Sequence, residues 1–415
     1  MTQRAPIFAL VILLLFFLGW FLIELFAWQG IKTLTRDLAR PLQKGLRYTY
    51  LALSALAWIG LILGIFLAMN RSPQRMIWTG YILGYIVLIN FPKILFAAFL
   101  MLEDVVRYIQ KWTSSGDVPL ASRRKFISQI GIMLAAVPFT AVLYGIIRGR
   151  YDYKIHRVEL TFDDLPEAFD GLTVTQISDV HSGSFDSTED VQRGLDMIQD
   201  LGSDMIVFTG DIVNEVSDEI KPWIPAFAAL SAPLGKYSVL GNHDYGDSVR
   251  WASPFEKAAN LQRLKDYHAQ MGFQLLTNQH QTIQKGDSTL NLVGVENWGK
   301  LPFPQKGDLD IATKDMAGAQ FQILLSHDPS HWEERILPHE TTFHLTLSGH
   351  THGAQLGVEV PGWKWSPVKY RYPQWAGLYQ EGKEYLYVNR GFGFIGFPGR
   401  VGIWPEITQF TLRRA

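Results

Sequence analysis

Four apolar runs fill the first 150 residues, and they narrow what that part of the chain can become. They are Pro6 to about Gly30, Tyr48–Met69, Met76 to about Leu102, and Phe126–Ile147. Each has about the 20 residues that a bilayer core demands. In hydrocarbon a backbone must satisfy its own polar groups, so runs of this kind can only be helices. Four in succession, with few charges, argue against core helices of a soluble domain. The first run is too long for a cleaved signal peptide, contains Glu24 and lacks a small-x-small exit, so an anchor is expected. The third contains Asn90, Pro92 and Lys93, and Lys93 must either snorkel or face a partner helix.

The loops carry unequal charge. Lys32, Arg36, Arg40, Lys44 and Arg47 face only Asp37 between runs one and two. Arg107, Lys111, Arg123, Arg124 and Lys125 lie between runs three and four, whereas the 70–75 loop has only Arg71 and Arg75. The positive-inside rule places the first and third loops in the cytoplasm. Four spans then put residues 151–415 on the extracytoplasmic side of a cell membrane; the opposite topology requires one span miscounted. Ser122–Ile127 resembles a twin-arginine export signal, although a plain basic flank on a membrane helix reads the same way. The expected division is a membrane region, 1–150, and a catalytic domain, 151–415.

Composition excludes some classes. Lys+Arg number 38 against Asp+Glu 39, a net charge of -1, without the basic footprint of a nucleic-acid binder. There is no cysteine. Disulfides and thiolate metal sites are excluded, and any metal must take His, Asp, Glu or Asn, which suits borderline or harder divalent ions.

The second part of the chain alternates apolar strands with helices, and the strands end in polar residues. Leu172–Ile177 runs into Asp179-x-His181. Met205–Phe208 runs into Gly210-Asp211. Tyr237–Leu240 runs into Gly241-Asn242-His243-Asp244. Phe321–Leu325 runs into His327-Asp328, and Phe343–Leu347 into Gly349-His350-x-His352. Residues two apart at a strand end project to one side. Further strands are expected at Phe273–Leu276, Tyr385–Val388 and Ile407–Leu412, with a hairpin around Gly286-Asp287. Helices are expected over 218–231 and 253–271, and a surface excursion over 297–320. The alternation predicts an α/β fold with ligands gathered at strand C-termini. Of 11 histidines, His181, His243, His327, His350 and His352 fall at these ends, a grouping that points to a metal site.

In this order the blocks resemble the signature of the calcineurin-like metallophosphoesterases. The end of the chain, Tyr387–Gly393 and Pro405–Thr408, looks like the bacterial membrane-associated YkuE/YaeI-like branch. The resemblance implies a four-layer α/β/β/α sandwich rather than one open sheet. It implies that Asp179, His181, Asp211 and His352 hold one divalent ion, and that Asp211, Asn242, His327 and His350 hold another, with Asp211 bridging. It further implies phosphoester hydrolysis, more often of a diester, by a hydroxide activated between two metals. His243 is then the non-ligand residue that protonates the leaving oxygen or stabilises the transition state. Asp244 either orients His243 or caps the following turn, and His327 could alternatively be structural with Asp328 as its partner. Purple acid phosphatases place a ligating tyrosine where Asn214 stands, so Mn2+, Zn2+ or Fe2+ is expected rather than an iron–tyrosinate pair.

The membrane half motivates a lipid or cell-envelope phosphoester as substrate. Trp363, Trp365, Tyr370, Tyr372 and Trp375 could sit at a headgroup interface or line a substrate groove, or pack as an aromatic cap. The alternative from another class is a membrane sensor or accessory protein whose phosphoesterase domain binds ligand without turnover. A channel or pump is not expected, because no charged pathway is evident in the spans.

Overall fold

The structure, a computed structural model, describes residues 4–69, 72–113, 120–316 and 321–415. Arg71 and residues 317–320 of the expected surface excursion lie outside the described residues. The chain divides into two compact units, Met1–Met69 with Tyr81–Tyr144, and Asn70–Gly80 with Gly145–Ala415.

The N-terminal helices are α1 (Arg4–Leu34), α2 (Arg40–Met69), α3 (Pro73–Thr113) and α4 (Leu120–Ile147). All four are long and apolar enough to cross a membrane. Pro92 sits inside α3 without ending it. Lys93 does not snorkel. It is 9% exposed, with Nζ 2.5 Å from Glu24 Oε1 on α1 and 2.7 Å from Ser54 Oγ on α2. The Tyr50 hydroxyl donates to the other Glu24 oxygen at 2.5 Å. A charge placed among apolar helices thus meets its counter-charge and further hydrogen bonds, the condition under which burial is tolerable. Of the Ser122–Ile127 cations, Arg124 donates to Gln29 Oε1 of α1 at 2.9 Å and Lys125 pairs with Asp37, in the turn after α1, at 2.7 Å.

The strands of the second unit are β1 (Lys154–Phe162), β2 (Leu172–Ile177), β3 (Met205–Phe208), β4 (Lys236–Ser238), β5 (Gln274–Leu275), β6 (Gln279–Lys285), β7 (Ser288–Gly294), β8 (Gln322–Leu325), β9 (Leu345–Ser348), β10 (Val358–Val360), β11 (Trp363–Trp365), β12 (Gly377–Glu381), β13 (Glu384–Val388) and β14 (Glu406–Arg414). They form a six-stranded sheet β1-β14-β2-β3-β4-β5, a second six-stranded sheet β12-β13-β9-β8-β7-β6, and the isolated hairpin β10-β11. The neighbours β2, β3, β4 and β5 are parallel, as are β7, β8, β9 and β13.

Side-chain alternation explains why two sheets stack. Met205 and Val207 point into the core between the sheets, meeting Leu290, Ile323, Leu325, Leu345 and Leu347 of the other sheet. Ile206 and Phe208 point the opposite way, onto Val191, Leu195 and Ile198 of the helix Thr188–Asp200 and Leu264 of the helix Pro254–Gln270. On the second sheet Leu324 turns outward to Leu309, Trp332 and Ile336. A strand buried on both faces needs apolar residues at every position, as MIVF and ILL supply. The result is the expected four-layer α/β/β/α sandwich. The helix expected over 218–231 is instead two single turns and the short helix Ile224–Ala228. Pro222 and Pro225 remove donors and crowd the preceding turn.

Two outcomes follow. Lys93→Met leaves the Glu24 carboxylate unpaired and should cost about 3–5 kcal/mol, with most of it recovered by the double change Glu24→Gln, Lys93→Met; thermal unfolding of the full chain in detergent measures both. His268 is fully buried against Phe208, and burial pushes its pKa down to about 4 from 6.5. Between those values the unfolded chain binds a proton that the folded one does not, so stability falls as pH falls from 6.5 to 4, by on the order of 3 kcal/mol. His268→Gln should flatten that slope in denaturant titrations at successive pH values.

Candidate metal centre

The parallel strands of both sheets deliver polar residues to one place. Loops after β2, β3 and β4 bring Asp179 and His181, Asp211, and Asn242 and His243 from the first sheet. Loops after β8 and β9 bring His327, His350 and His352 from the second. The sheets are also tied beside this point by Gln176, whose Nε2 donates to the Ser348 carbonyl at 2.9 Å.

Two clusters result. In each, the ligand atoms lie within 4.8 Å of one another: Asp179, His181 and His352 in one, and Asp211, His327 and His350 in the other. Asp211 lies between them, its Oδ2 3.1 Å from His327 Nε2 and 3.7 Å from His181 Nε2. Asp179 Oδ1 is 3.2 Å from His352 Nε2. Asn242 Oδ1 faces His350 Nδ1 at 2.7 Å, which joins it to the second cluster. Every predicted ligand is therefore adjacent to one of the two clusters.

The backbone is unusual at the same positions. Nine non-glycine residues have positive φ among the described residues, and five of them are Asp179, His181, Asp211, His350 and His352, with φ between +47° and +72°. L-residues enter this region at a cost of order 1–3 kcal/mol each, and such costs gather where function fixes geometry. Glycines make room for the crowding. A Cβ on Gly349 would strike Ser178 Oγ and the Asp179 carboxylate, and one on Gly241 would strike the Asp211 carboxylate.

The electrostatics are those of opposed groups in a dry site. Burial works against ionisation of Asp179 and Asp211, but His352 beside the first and His327 beside the second help hold both carboxyls below the usual range. Burial also disfavours a charged His327, yet Asp211 outweighs it and raises that imidazole to about 10. Burial pushes His181, His350 and His352 down, toward the neutral form that binds cations.

The donor set suits divalent ions. Nε2 of His181 is buried with no hydrogen-bond partner, 3.7 Å from Asp211 Oδ2. Buried polar atoms are nearly always satisfied, so a nitrogen left over beside a carboxylate marks a place a cation can take. Oxygen and imidazole ligands without thiolate fit borderline divalent ions.

The neighbours divide their work differently from the simplest sequence reading. Asp244 does not orient His243. Its carboxylate accepts from the N–H groups of Gly241 (2.8 Å), Ile212 (2.9 Å), Asp211 (3.0 Å) and Val213 (3.3 Å), so it locks the two loops that carry Asp211 and Asn242. His243 is oriented by the Asn214 carbonyl, 2.8 Å from Nδ1. That carbonyl's loop is held in turn by Glu219, which accepts from the Asn214 N–H at 2.5 Å and the Glu215 N–H at 3.2 Å. Asp328 is not the partner of His327, whose Nδ1 donates to the Thr209 carbonyl at 2.7 Å. Asp328 instead lies 3.4 Å from His350 Nε2. Tyr372, expected only in general terms as groove-lining or packing, has its hydroxyl 2.7 Å from His350 Nε2, and Arg400, which was not anticipated, has its Nη2 3.0 Å from His352 Nδ1. Tyr372 stood in the aromatic segment singled out by composition; nothing local in the sequence marks Arg400.

Comparison with known proteins gives the family. The calcineurin-like phosphoesterase model matches residues 172–354, and the transmembrane-domain model of calcineurin-like phosphoesterases matches residues 7–150. The chain is 32% identical to the metallophosphoesterase YkuE of Bacillus subtilis over 70% of its own length and 98% of the relative's. It is 28% identical to a transmembrane protein with metallophosphoesterase domain from Danio rerio, over 68% of this chain and 62% of that one. It is also 28% identical to the UDP-2,3-diacylglucosamine pyrophosphatase LpxG of Chlamydia trachomatis, over 55% of this chain and 81% of that protein. The chain belongs to the calcineurin-like phosphoesterases. It is a membrane protein with a metallophosphoesterase domain, a hydrolase of phosphoesters.

Gly349→Ala should displace the Asp179 carboxylate and weaken cation binding about 10–100-fold, the range typical of disturbed ligand support. Elemental analysis of the full chain after equilibration at graded Mn2+ measures this.

Proposed function

We propose that the protein is a phosphodiesterase working with two divalent cations, Mn2+, Zn2+ or Fe2+, on a lipid-linked phosphodiester or diphosphate at the extracytoplasmic face of its membrane. The observation that carries the reading is Asp211, a member of one three-ligand cluster, also lying 3.7 Å from His181 of the other. Asp179, His181, Asp211 and His352 hold one cation, and Asp211, Asn242, His327 and His350 hold the other. Bound there, the two ions supply a water acidified to a nucleophile near neutral pH and offset the charge that grows on phosphoryl oxygens.

The chain's own residues do the rest. Asp211 and Asp179 bring two negative charges to the cation positions, and neutral Asn242 leaves the site electrophilic. With its Nδ1–H given to the Asn214 carbonyl, His243 keeps Nε2 for the substrate. Protonated, it donates to the leaving oxygen, a transfer typically worth about 10²–10⁴-fold. Asp244 maintains the spacing of the Asp211 and Asn242 loops through its backbone bonds. Four apolar helices keep the domain at a bilayer, and the relative named for a diacylated nucleotide-sugar pyrophosphate supports an amphiphilic substrate. The charged loops between the helices support the extracytoplasmic side.

The test is turnover of diesters by the full chain in detergent, stripped of metal and reloaded with Mn2+, Zn2+ or Fe2+. Asp211→Asn should lose both bound ions and activity. His243→Ala should keep two ions and lose about 10²–10⁴-fold in kcat on a diester with an alkoxide leaving group, and much less on bis(p-nitrophenyl) phosphate, whose leaving group needs little protonation. Equal losses on both substrates would overturn the acid role. No turnover with two ions bound would overturn the hydrolase reading for these substrates.

A further inference from the structure

We propose that the hairpin β10-β11 is a lipid-contacting element that inserts its outer face into the surface of the bilayer in which the chain is anchored. Antiparallel pairing sets Val358 opposite Trp365 and Val360 opposite Trp363, with Glu359 opposite Lys364. Directly paired residues share a face, and the faces alternate. One face is therefore Val358, Val360, Trp363 and Trp365; the other is Glu359 and Lys364.

The two faces are reversed relative to a hairpin lying on a soluble domain. The charged face is tied to the domain, although the Glu359 side chain stays 32% exposed. Glu359 pairs with Arg390 at 2.6 Å, and Lys364 reaches the Ala376 carbonyl beneath Trp375 and Tyr379. The apolar face is turned mostly outward, with Val358 47%, Val360 49% and Trp363 56% exposed and Trp365 half-buried. The ion pair and the Lys364 contact hold the hairpin in this orientation. An outward apolar face held in place by a salt bridge to the domain is expected where something apolar covers it.

Three observations select a lipid surface as the occupant. The flanking residues Tyr370, 79% exposed, and the exposed cations Lys369 and Arg371 add an amphipathic aromatic and positive charge, the chemistry that anionic headgroups and the interfacial zone attract. Trp and Tyr are the residues enriched at that depth. Backbone bonds also connect the hairpin to the end of the fourth apolar helix within the second unit. The Gly357 N–H donates to Val401 O at 2.9 Å, and the adjacent Arg400 N–H donates to Gly145 O at 3.1 Å. Gly145 belongs to α4, where the chain leaves its last span. The same segment divides by burial: Trp375 and Tyr372 are buried against the site, while Trp363 and Tyr370 face out.

The chain has no cysteine, so a single cysteine can carry an environment-sensitive nitrobenzoxadiazole label. The full chain bearing Val360→Cys is reconstituted in phosphatidylcholine vesicles, with and without phosphatidylglycerol. Asp287→Cys, in the exposed β6-β7 turn, serves as the reference. The expected result is that the Val360→Cys label is quenched by doxyl-labelled lipid and shielded from iodide, more strongly with phosphatidylglycerol, while the Asp287→Cys label shows the reverse. A Val360→Cys label that behaves like the reference overturns the proposal. So does one shielded from both quenchers, which would place protein over the hairpin. This readout does not depend on catalysis and therefore stands or falls separately from the phosphodiesterase reading. As a second measure, Val360→Ser with Trp363→Ser should leave cation content and turnover of soluble diesters unchanged and lower turnover of vesicle-borne diesters several-fold; equal turnover of both would count against the proposal.

Discussion

Asp211 is a carboxylate held out of water between two imidazoles. Buried charge is costly unless it is paired and hydrogen-bonded, and much of the second unit supplies those partners. His327 approaches from one sheet and His181 from the other, while the His243 N–H donates to Oδ1 at 2.8 Å. Asp244, itself buried and pushed up to about 7 by burial and then by the Asp211 charge, holds the Asp211 loop by its backbone. The sandwich makes this meeting possible, because only two stacked sheets can bring loops from β3 and β8 to the same carboxylate.

The same principle operates in the membrane half at a smaller scale. Lys93 on α3 meets Glu24 on α1 and Ser54 on α2. An ion pair in a bilayer core is weak as a source of stability but strict about register, because any slip leaves a charge unpaired. The Glu359–Arg390 pair beneath the β10-β11 hairpin is a third case, and there too the charges fix an orientation and leave apolar residues facing outward.

Much of this was legible in the sequence because the signals were local. Apolar runs such as MIVF and the period-two placement of Asp179-x-His181 and His350-x-His352 are readable without any knowledge of contacts. Strand ends therefore pointed to the polar residues that the structure brings together, and the family resemblance supplied the ligand assignment and the second sheet. What escaped depended on distance in the chain. Arg400 reaches His352 across 48 residues with no local marker, and Tyr372, though in a conspicuous aromatic segment, reaches His350 across 22. Asp244 stayed open between two roles for the opposite reason. It follows His243 directly, but the single turn His243–Tyr245 sends the two side chains apart, one to the Asn214 carbonyl and the other to the N–H groups of the Asp211 loop. The β10-β11 hairpin was hidden by its composition, since a short strand pair with exposed apolar residues reads as an irregular aromatic segment.

The central claim is that Asp211 links two cations. The most direct measurement is electron paramagnetic resonance of the full chain loaded with Mn2+. A bridging carboxylate couples the two ions, so the spectrum should show an exchange-coupled pair at two ions per chain, and Asp211→Asn should abolish that signal. Spectra showing only isolated Mn2+ at full loading would contradict the dinuclear centre.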